Sequence, residues 1–228
     1  MKSGYLYKFF SYCLSLATYK QGLARLLGVR VSEIERLYKE IRESEFMGEI
    51  RCKANLKDGF LNFGMSSVLR APTLYVLCRV IKPQSVVETG VADGYSSSFI
   101  LSALEANLKG HLYSIDLPNQ PGQELTCGRT TGWLVPEGLK KRWTLLLGSS
   151  REKLPQLLDS LKTIDIFYHD SGHSYENMMF EFNEAISHLG QNSLLVSDDI
   201  TDTKAFDDFC GISGLRYLKL FKLGLIKK

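Results

Sequence analysis

The sequence predicts an α/β fold in which a parallel sheet is covered by helices on both faces and one antiparallel strand is added at the edge. Three observations carry this. From Ser85 onwards, short β-prone runs alternate with runs of helical apolar spacing. The first strand, Val86-Val87-Glu88, passes through Thr89-Gly90-Val91-Ala92-Asp93-Gly94 directly into a helical run at Tyr95 and Ser96. Finally, four of the five strands expected to run parallel end in or beside an acidic residue: Glu88, Asp116, Asp170 and Asp198.

Each element has its own signal. Residues 5–19 are apolar and aromatic behind Lys2 and Lys8, which superficially suggests a leader peptide. The run is too short and polar to span a bilayer, however, and Lys20 follows without a clear small-residue cleavage site, so it reads as a helix that packs on the main domain, covers the substrate entrance or lies on a membrane surface. Ser32-Glu33-Ile34-Glu35 has capping-box spacing ahead of Leu37, Tyr38 and Ile41, predicting a second amphipathic helix. Residues 48–66, rich in Gly and Asn, read as a connecting loop, and Pro72 as the start of another helix. These segments form a helical extension over residues 1–79, ahead of a main domain over residues 80–228. In that domain, Tyr95 to Leu108 is helical and Gly110 to Asp116 is the second strand. Residues 117–142 form a long loop, Trp143 to Leu147 the third strand and Ile164 to Tyr168 the fourth. Gly148-Ser149-Ser150 opens the helix after the third strand. A helix then runs to about Leu189, Ser193 to Val196 is the fifth strand, Thr203 to Phe209 is helical, and Tyr217 to Ile226 forms a hairpin around Lys222.

Composition narrows the class. The five cysteines are scattered without a Cys-x-x-Cys pair, so neither a disulfide framework nor a zinc site is indicated, and a reducing cytoplasm fits. The net charge of +3 is uneven: residues 1–32 and 209–228 each carry five basic and no acidic residues, leaving 18 basic against 25 acidic residues between them. A basic N-terminal helix suits peripheral contact with an anionic membrane surface, but a solvated face is the preferred reading. No nucleic-acid module is recognisable.

The chemistry gathers around Glu88-x-Gly90-x-x-x-Gly94. This spacing departs from the three-glycine pattern that admits a pyrophosphate. Gly90 and Gly94 remove Cβ atoms where the backbone turns and a ligand approaches, and the free N–H groups of the helix start favour polar or anionic groups. A carboxylate at Glu88 suits an ammonium group, which points to a nucleoside that carries an amino acid. Asp116, 28 residues on, stands where an acid binds both ribose hydroxyls. Asp170, Asp198 and Asp199 follow adjacent strands and can converge; their mutual repulsion would be relieved by a hard divalent ion such as Mg²⁺. Alternatively, Asp198 or Asp199 merely caps the next helix. His173, three residues after Asp170, has a pKa range suited to taking a hydroxyl proton, and His169 reads as orienting its neighbour.

These motifs resemble class I S-adenosylmethionine (SAM) methyltransferases over about two thirds of the chain. The resemblance implies a Rossmann-like seven-stranded sheet of order 3-2-1-4-5-7-6. The Ile164-Asp-Ile-Phe-Tyr-His-Asp-Ser-Gly-His-Ser-Tyr-Glu176 and Ser197-Asp-Asp-Ile200 runs are similar to the bacterial metal-dependent group that includes macrocin- and novobiocin-type sugar O-methyltransferases, and more distantly to catechol-type enzymes. His173 stands where catechol-type enzymes have a lysine base, Asp199 replaces an amide, and Gly172 stands where some sugar enzymes have an aspartate base. The resemblance implies that Glu88 holds the methionine amino group, that Gly90, Gly94 and Gly148 line the cofactor, that Asp116 binds ribose and that Ser149 lies near adenine. The expected activity is Mg²⁺-dependent O-methyl transfer to a small metabolite or saccharide, from a monomer or homo-oligomer. A non-catalytic SAM-binding accessory subunit and, more weakly, an RNA methyltransferase are the alternatives.

Overall fold

The computed structural model describes residues 17–53, 64–118 and 129–228, with the side chains of residues 64–69 left aside. Four helices precede the sheet: α1 (17–27), α2 (Val31–Arg42), α3 (Glu45–Lys53) and α4 (Gly64–Ile81). The expected loop over 48–66 is therefore helix at both ends, and its residues 54–63 lie outside the described part, as does most of the aromatic run 5–19. Pro72 sits inside α4 instead of opening it. A proline there removes one helical hydrogen bond, and the helix continues because it is clamped against α2 and the next helix. Ser32 is likewise not a cap: the N-cap of α2 is Arg30, in extended conformation, without a side-chain hydrogen bond.

The remaining elements are β1 (Ser85–Thr89), α5 (Tyr95–Ala106), β2 (His111–Asp116), a 3-10 turn at Glu137–Arg142, β3 (Trp143–Leu147), α6 (Ser150–Leu161), β4 (Ile164–His169), α7 (Tyr175–His188), β5 (Leu189–Ser197), α8 (Ala205–Ser213), β6 (Arg216–Leu220) and β7 (Leu223–Lys227). They form one seven-stranded sheet in the order β3-β2-β1-β4-β5-β7-β6. β1 to β5 pair in parallel, whereas β7 runs antiparallel to both β5 and β6.

Strand alternation divides the apolar side chains between the two faces. Val86, Leu112, Ile166, Tyr168, Leu194, Val196 and Leu225 join a core with residues of α1, α2, α4 and α5. Val87, Ile115, Phe167, Leu195 and Ile226 join a second core under α6, α7 and α8. The N-terminal helices thus share one hydrophobic cluster with the sheet face they cover. Several lysines of the basic C-terminal segment are used internally: Lys222 pairs with Asp199, Lys219 with Asp207, and Lys228 donates to the carbonyl of Ile186. No helix among the described residues is long and apolar enough to cross a membrane.

Backbone pairing continues one residue past the strand ends. Gly90 N–H donates to the Ile115 carbonyl (2.9 Å), Asp170 N–H to Thr89 (2.8 Å), Gly148 N–H to Asp116 (2.8 Å) and Asp198 N–H to His169 (2.9 Å). These bonds fix the residues following β3, β1, β4 and β5 in one row along the carboxyl edge of the sheet. Gly90 is the tightest point. Its φ is +85°, and a Cβ there would lie 2.0 Å from the Asp170 carbonyl oxygen, so the backbone of β4 leaves no room for a side chain. Gly90→Ala should lower unfolding stability by roughly 2–4 kcal/mol, combining about 1 for left-handed backbone with 1–3 for overpacking. Urea unfolding followed by circular dichroism checks this; an unchanged midpoint would contradict the close approach.

Candidate cofactor cleft and acidic site

A cleft of about 590 Å³ opens along this row. Gly90, Val91 and Ala92 of the turn line it, as do Asp116, Leu117, Gly148, Ser149, Ser150, Arg151 and Asp170, and Arg70 reaches in from α4. Asp116 braces the turn: Oδ2 accepts from Ala92 N–H (2.9 Å) and Val91 N–H (3.3 Å), and Oδ1 from Leu117 N–H (2.9 Å). A carboxylate has about four acceptor positions, so capacity is left for a ligand hydroxyl. Ser149 caps α6 by accepting from Glu152 N–H at 3.3 Å, which leaves the start of that helix at the cleft wall. Gly94 lies behind the wall as the left-handed N-cap of α5, packed so closely on Gly132 that a Cβ would meet its Cα at 2.8 Å. The segment after residue 129 is stitched onto the same turn. Gly132 and Leu134 N–H donate to the carbonyls of Ala92 and Asp93, Trp133 Nε1 donates to Asp93 Oδ1 (2.6 Å), and the Arg129 guanidinium lies 3.7 Å above the Trp133 ring.

Glu88 does not line the cleft. It follows Val86 by two residues and therefore points to the α5 face, fully buried, where Ser96 (2.8 Å), Ser97 (2.6 Å) and Ser114 (2.7 Å) donate to it. Trp143 Nε1 in turn donates to the Ser114 hydroxyl. The carboxylate fastens the first turn of α5 to β1 and β2, so it supports the cleft from behind. Burial nevertheless outweighs these three bonds and raises its pKa from 4.5 to about 7.

Thr89 points to the opposite face and meets a second buried carboxylate, Glu181 of α7. Glu181 accepts from Thr89 Oγ1 (2.6 Å), His169 Nδ1 (2.7 Å), Ser171 Oγ (2.7 Å) and Asn177 Nδ2 (3.1 Å). Although burial opposes ionisation, this set of donors, led by His169, holds its pKa below the ordinary value. The sequence offers one signal for Glu181: it interrupts the apolar stripe of α7 between Met178 and Phe182, where a charge needs buried partners.

Beyond β4 and β5 lies an acidic site. Candidate donor atoms of Asp170, His173 and Asp198 all fall within 4.8 Å of one another, and so do those of His173, Asp199 and Asp202. The expected trio of Asp170, Asp198 and Asp199 is thus redistributed. Asp199 takes a left-handed φ of +46° and gives its carboxylate to Lys222 (2.7 Å), while His173 stands between the two groups. Asp198 is 1% exposed; Arg70 pairs with its Oδ2, and its Oδ1 has no hydrogen-bond partner. His173 Nε2 is also unpartnered and lies 3.8 Å from Asp170 Oδ1. Burial raises the Asp170 pKa to about 6 against the pull of Arg70 and a 2.9 Å hydrogen bond from Tyr168. Burial, helped by His169, lowers that of His173, which keeps the imidazole neutral near pH 7. Arg70, Tyr168 and Glu181 complete the surroundings of the predicted residues.

The Glu88 shift has a pH signature. The folded state holds the proton more tightly than the unfolded chain, so this contribution to stability is complete below the unfolded value of 4.5 and is lost as pH rises through about 7. The shift corresponds to about 3 kcal/mol. Between about pH 5 and about pH 8 the ligand-free protein should lose roughly 2–3 kcal/mol more unfolding stability than Glu88→Gln. Parallel pH dependences in urea titrations of the two proteins would contradict this.

The profile of a family described as a methyltransferase domain matches residues 87–200, from β1 to the turn after β5. Solved structures share the fold. Cofactor-bound Rv0187 from MTB is 15% identical, with 80% of this chain and 89% of that one covered (TM-score 0.55). The SAH-bound Podospora anserina methyltransferase PaMTH1 is 14% identical, with 86% and 87% covered (TM-score 0.54). CalS11, described as a TDP-rhamnose 3'-O-methyltransferase of calicheamicin biosynthesis, is 16% identical, with 86% and 93% covered (TM-score 0.54). No curated protein matches the chain. The chain belongs to the methyltransferase-domain family and carries the class I, SAM-dependent form of that fold.

Proposed function

We propose that the protein transfers the methyl group of SAM to a hydroxyl oxygen of a small metabolite or saccharide, assisted by a divalent cation. The observation that carries this reading is the convergence of Asp170, His173 and Asp198 beside the cleft, with a buried, unpartnered oxygen on Asp198. CalS11 and its sugar substrate lend support to O-transfer and a saccharide acceptor.

The donor set fits a divalent cation: two carboxylates from adjacent strand ends would hold it, and Mg²⁺ or Mn²⁺ suits such oxygens. When bound, the cation lowers the pKa of an acceptor hydroxyl. In the cleft, Asp116 binds the ribose hydroxyls, Gly90 and Gly148 give the cofactor close access to the backbone, and the wall at Ser149 faces the base. Glu88 holds α5 and the glycine turn in place. SAM supplies a methyl group made electrophilic by its sulfonium, so the protein's part is alignment and removal of the hydroxyl proton. His173 Nε2 takes that proton. Its lowered pKa keeps it available as a base, and Asp170, 3.8 Å away, stabilises the imidazolium that results.

The test is transfer of labelled methyl from SAM into saccharide, small-molecule, lipid, RNA and protein fractions, with Mg²⁺ or with EDTA. Mg²⁺-dependent label in the saccharide or small-molecule fraction is expected; label confined to RNA or protein, or undiminished in EDTA, contradicts the reading. His173→Ala should lower kcat by about 10²–10⁴-fold with SAM binding retained. Asp198→Asn should lose turnover while still binding SAM. An unchanged pH–rate profile in His173→Ala removes it as the base.

A further inference from the structure

The acidic site already has a cation beside it. Arg70, from the middle of α4, is only 20% exposed and pairs with Oδ2 of Asp198, which is 1% exposed. It also faces the cofactor cleft alongside Gly90 and Asp170, and its charge favours the ionised form of Asp170. The guanidinium therefore pairs with one of the two carboxylates assigned above to a divalent cation and offsets part of the charge of the other. A planar guanidinium and a metal ion compete for the same carboxylate oxygens, and neither tolerates the other's charge at contact distance in a buried setting.

We propose that Arg70 is the internal counter-cation of this site: it occupies Asp198 when no metal is bound, so the Arg70–Asp198 pair and divalent-ion binding exclude one another. The inference rests on the metal reading under Proposed function and adds an exchange to it. Metal binding must break the pair, and α4, a helix of the N-terminal layer, is thereby coupled to the occupancy of the site. Arg70 is a positioning residue here, since it acts through Asp198. The apparent affinity for metal falls by the fraction of molecules in which Asp198 is free, so a pair formed about nine-tenths of the time weakens binding about tenfold.

The experiment is calorimetric titration of the full-length, ligand-free chain with Mn²⁺ alone. Arg70→Met should bind Mn²⁺ about tenfold more tightly than the wild type. Arg70→Lys, which keeps a cation near Asp198, should remain close to the wild type, and adding Asp198→Asn to Arg70→Met should abolish the gain. A merely structural role for Arg70 would weaken binding on truncation. Equal or weaker Mn²⁺ binding by Arg70→Met overturns the exchange while leaving the metal reading standing. A gain that survives Asp198→Asn also overturns it. No Mn²⁺ binding by either protein overturns the metal reading, and the exchange with it. The unaltered protein provides a second measurement should Arg70→Met not fold: the Arg70 Nε–H resonance should shift on saturation with Mg²⁺. A resonance that stays in place at saturation overturns the proposal.

Discussion

The close approach of β1 and β4 at Gly90 is the constraint on which the rest of the site depends. The Thr89 carbonyl accepts from Asp170 N–H while Gly90 N–H reaches across to Ile115, so the chain leaving β1 is held between its two neighbours. Any side chain at residue 90 would collide with the backbone of Asp170. With that contact made, the glycine turn, Asp116, Asp170 and Asp198 fall into one row. The cleft is a consequence of sheet register. In an open α/β sheet, ligands bind beyond the carboxyl ends of the strands where the order reverses, and here β1 is flanked by β2 on one side and β4 on the other.

Two buried glutamates consolidate that row from opposite faces. Strand alternation sends Glu88 toward α5 and the next residue, Thr89, toward Glu181 of α7. Each carboxylate is wrapped by side-chain donors, yet burial wins at Glu88 and the donors win at Glu181. A hydrogen bond to a charged group contributes roughly 1.5–3 kcal/mol net, and several such bonds are needed to offset the burial of a carboxylate. Glu88 receives three neutral hydroxyls, whereas Glu181 adds an imidazole N–H and an amide to its hydroxyl donors. That difference in donors separates a carboxyl that titrates near neutrality from one that stays ionised. The ionised one orients His169, whose ring stands edge-to-face with His173 at 5.3 Å.

Much of this was legible in the sequence, because the relevant signals are local. The alternation of strands and helices, the glycine turn, the terminal hairpin and the acids at the ends of β2, β4 and β5 follow from short β-prone runs punctuated by glycine and aspartate, whereas the order of the sheet came from the resemblance to class I methyltransferases. The start of α4 was hidden because Pro72 is an ordinary helix-opening signal that tertiary packing overrides. The direction of Glu88 was misplaced for a different reason. Its spacing before the glycines suits a ligand, but the parity of the strand, set by Val86, turns it away. Arg70 was invisible in the sequence since it approaches from 128 residues before Asp198, and only the packing of α4 against the sheet brings the two together. Asp199 was grouped with its neighbour by adjacency, whereas its left-handed backbone delivers it to Lys222.

The row beyond β1, β2, β3 and β4 is the proposed cofactor site. A crystal structure grown with S-adenosylhomocysteine is the decisive measurement. It should show ribose hydroxyls on Asp116 and the base against the wall formed by Ser149, with Glu88 still bonded to its three serines. Density for the nucleoside elsewhere in the protein, or a Glu88 carboxylate turned out to contact the amino group, would contradict it.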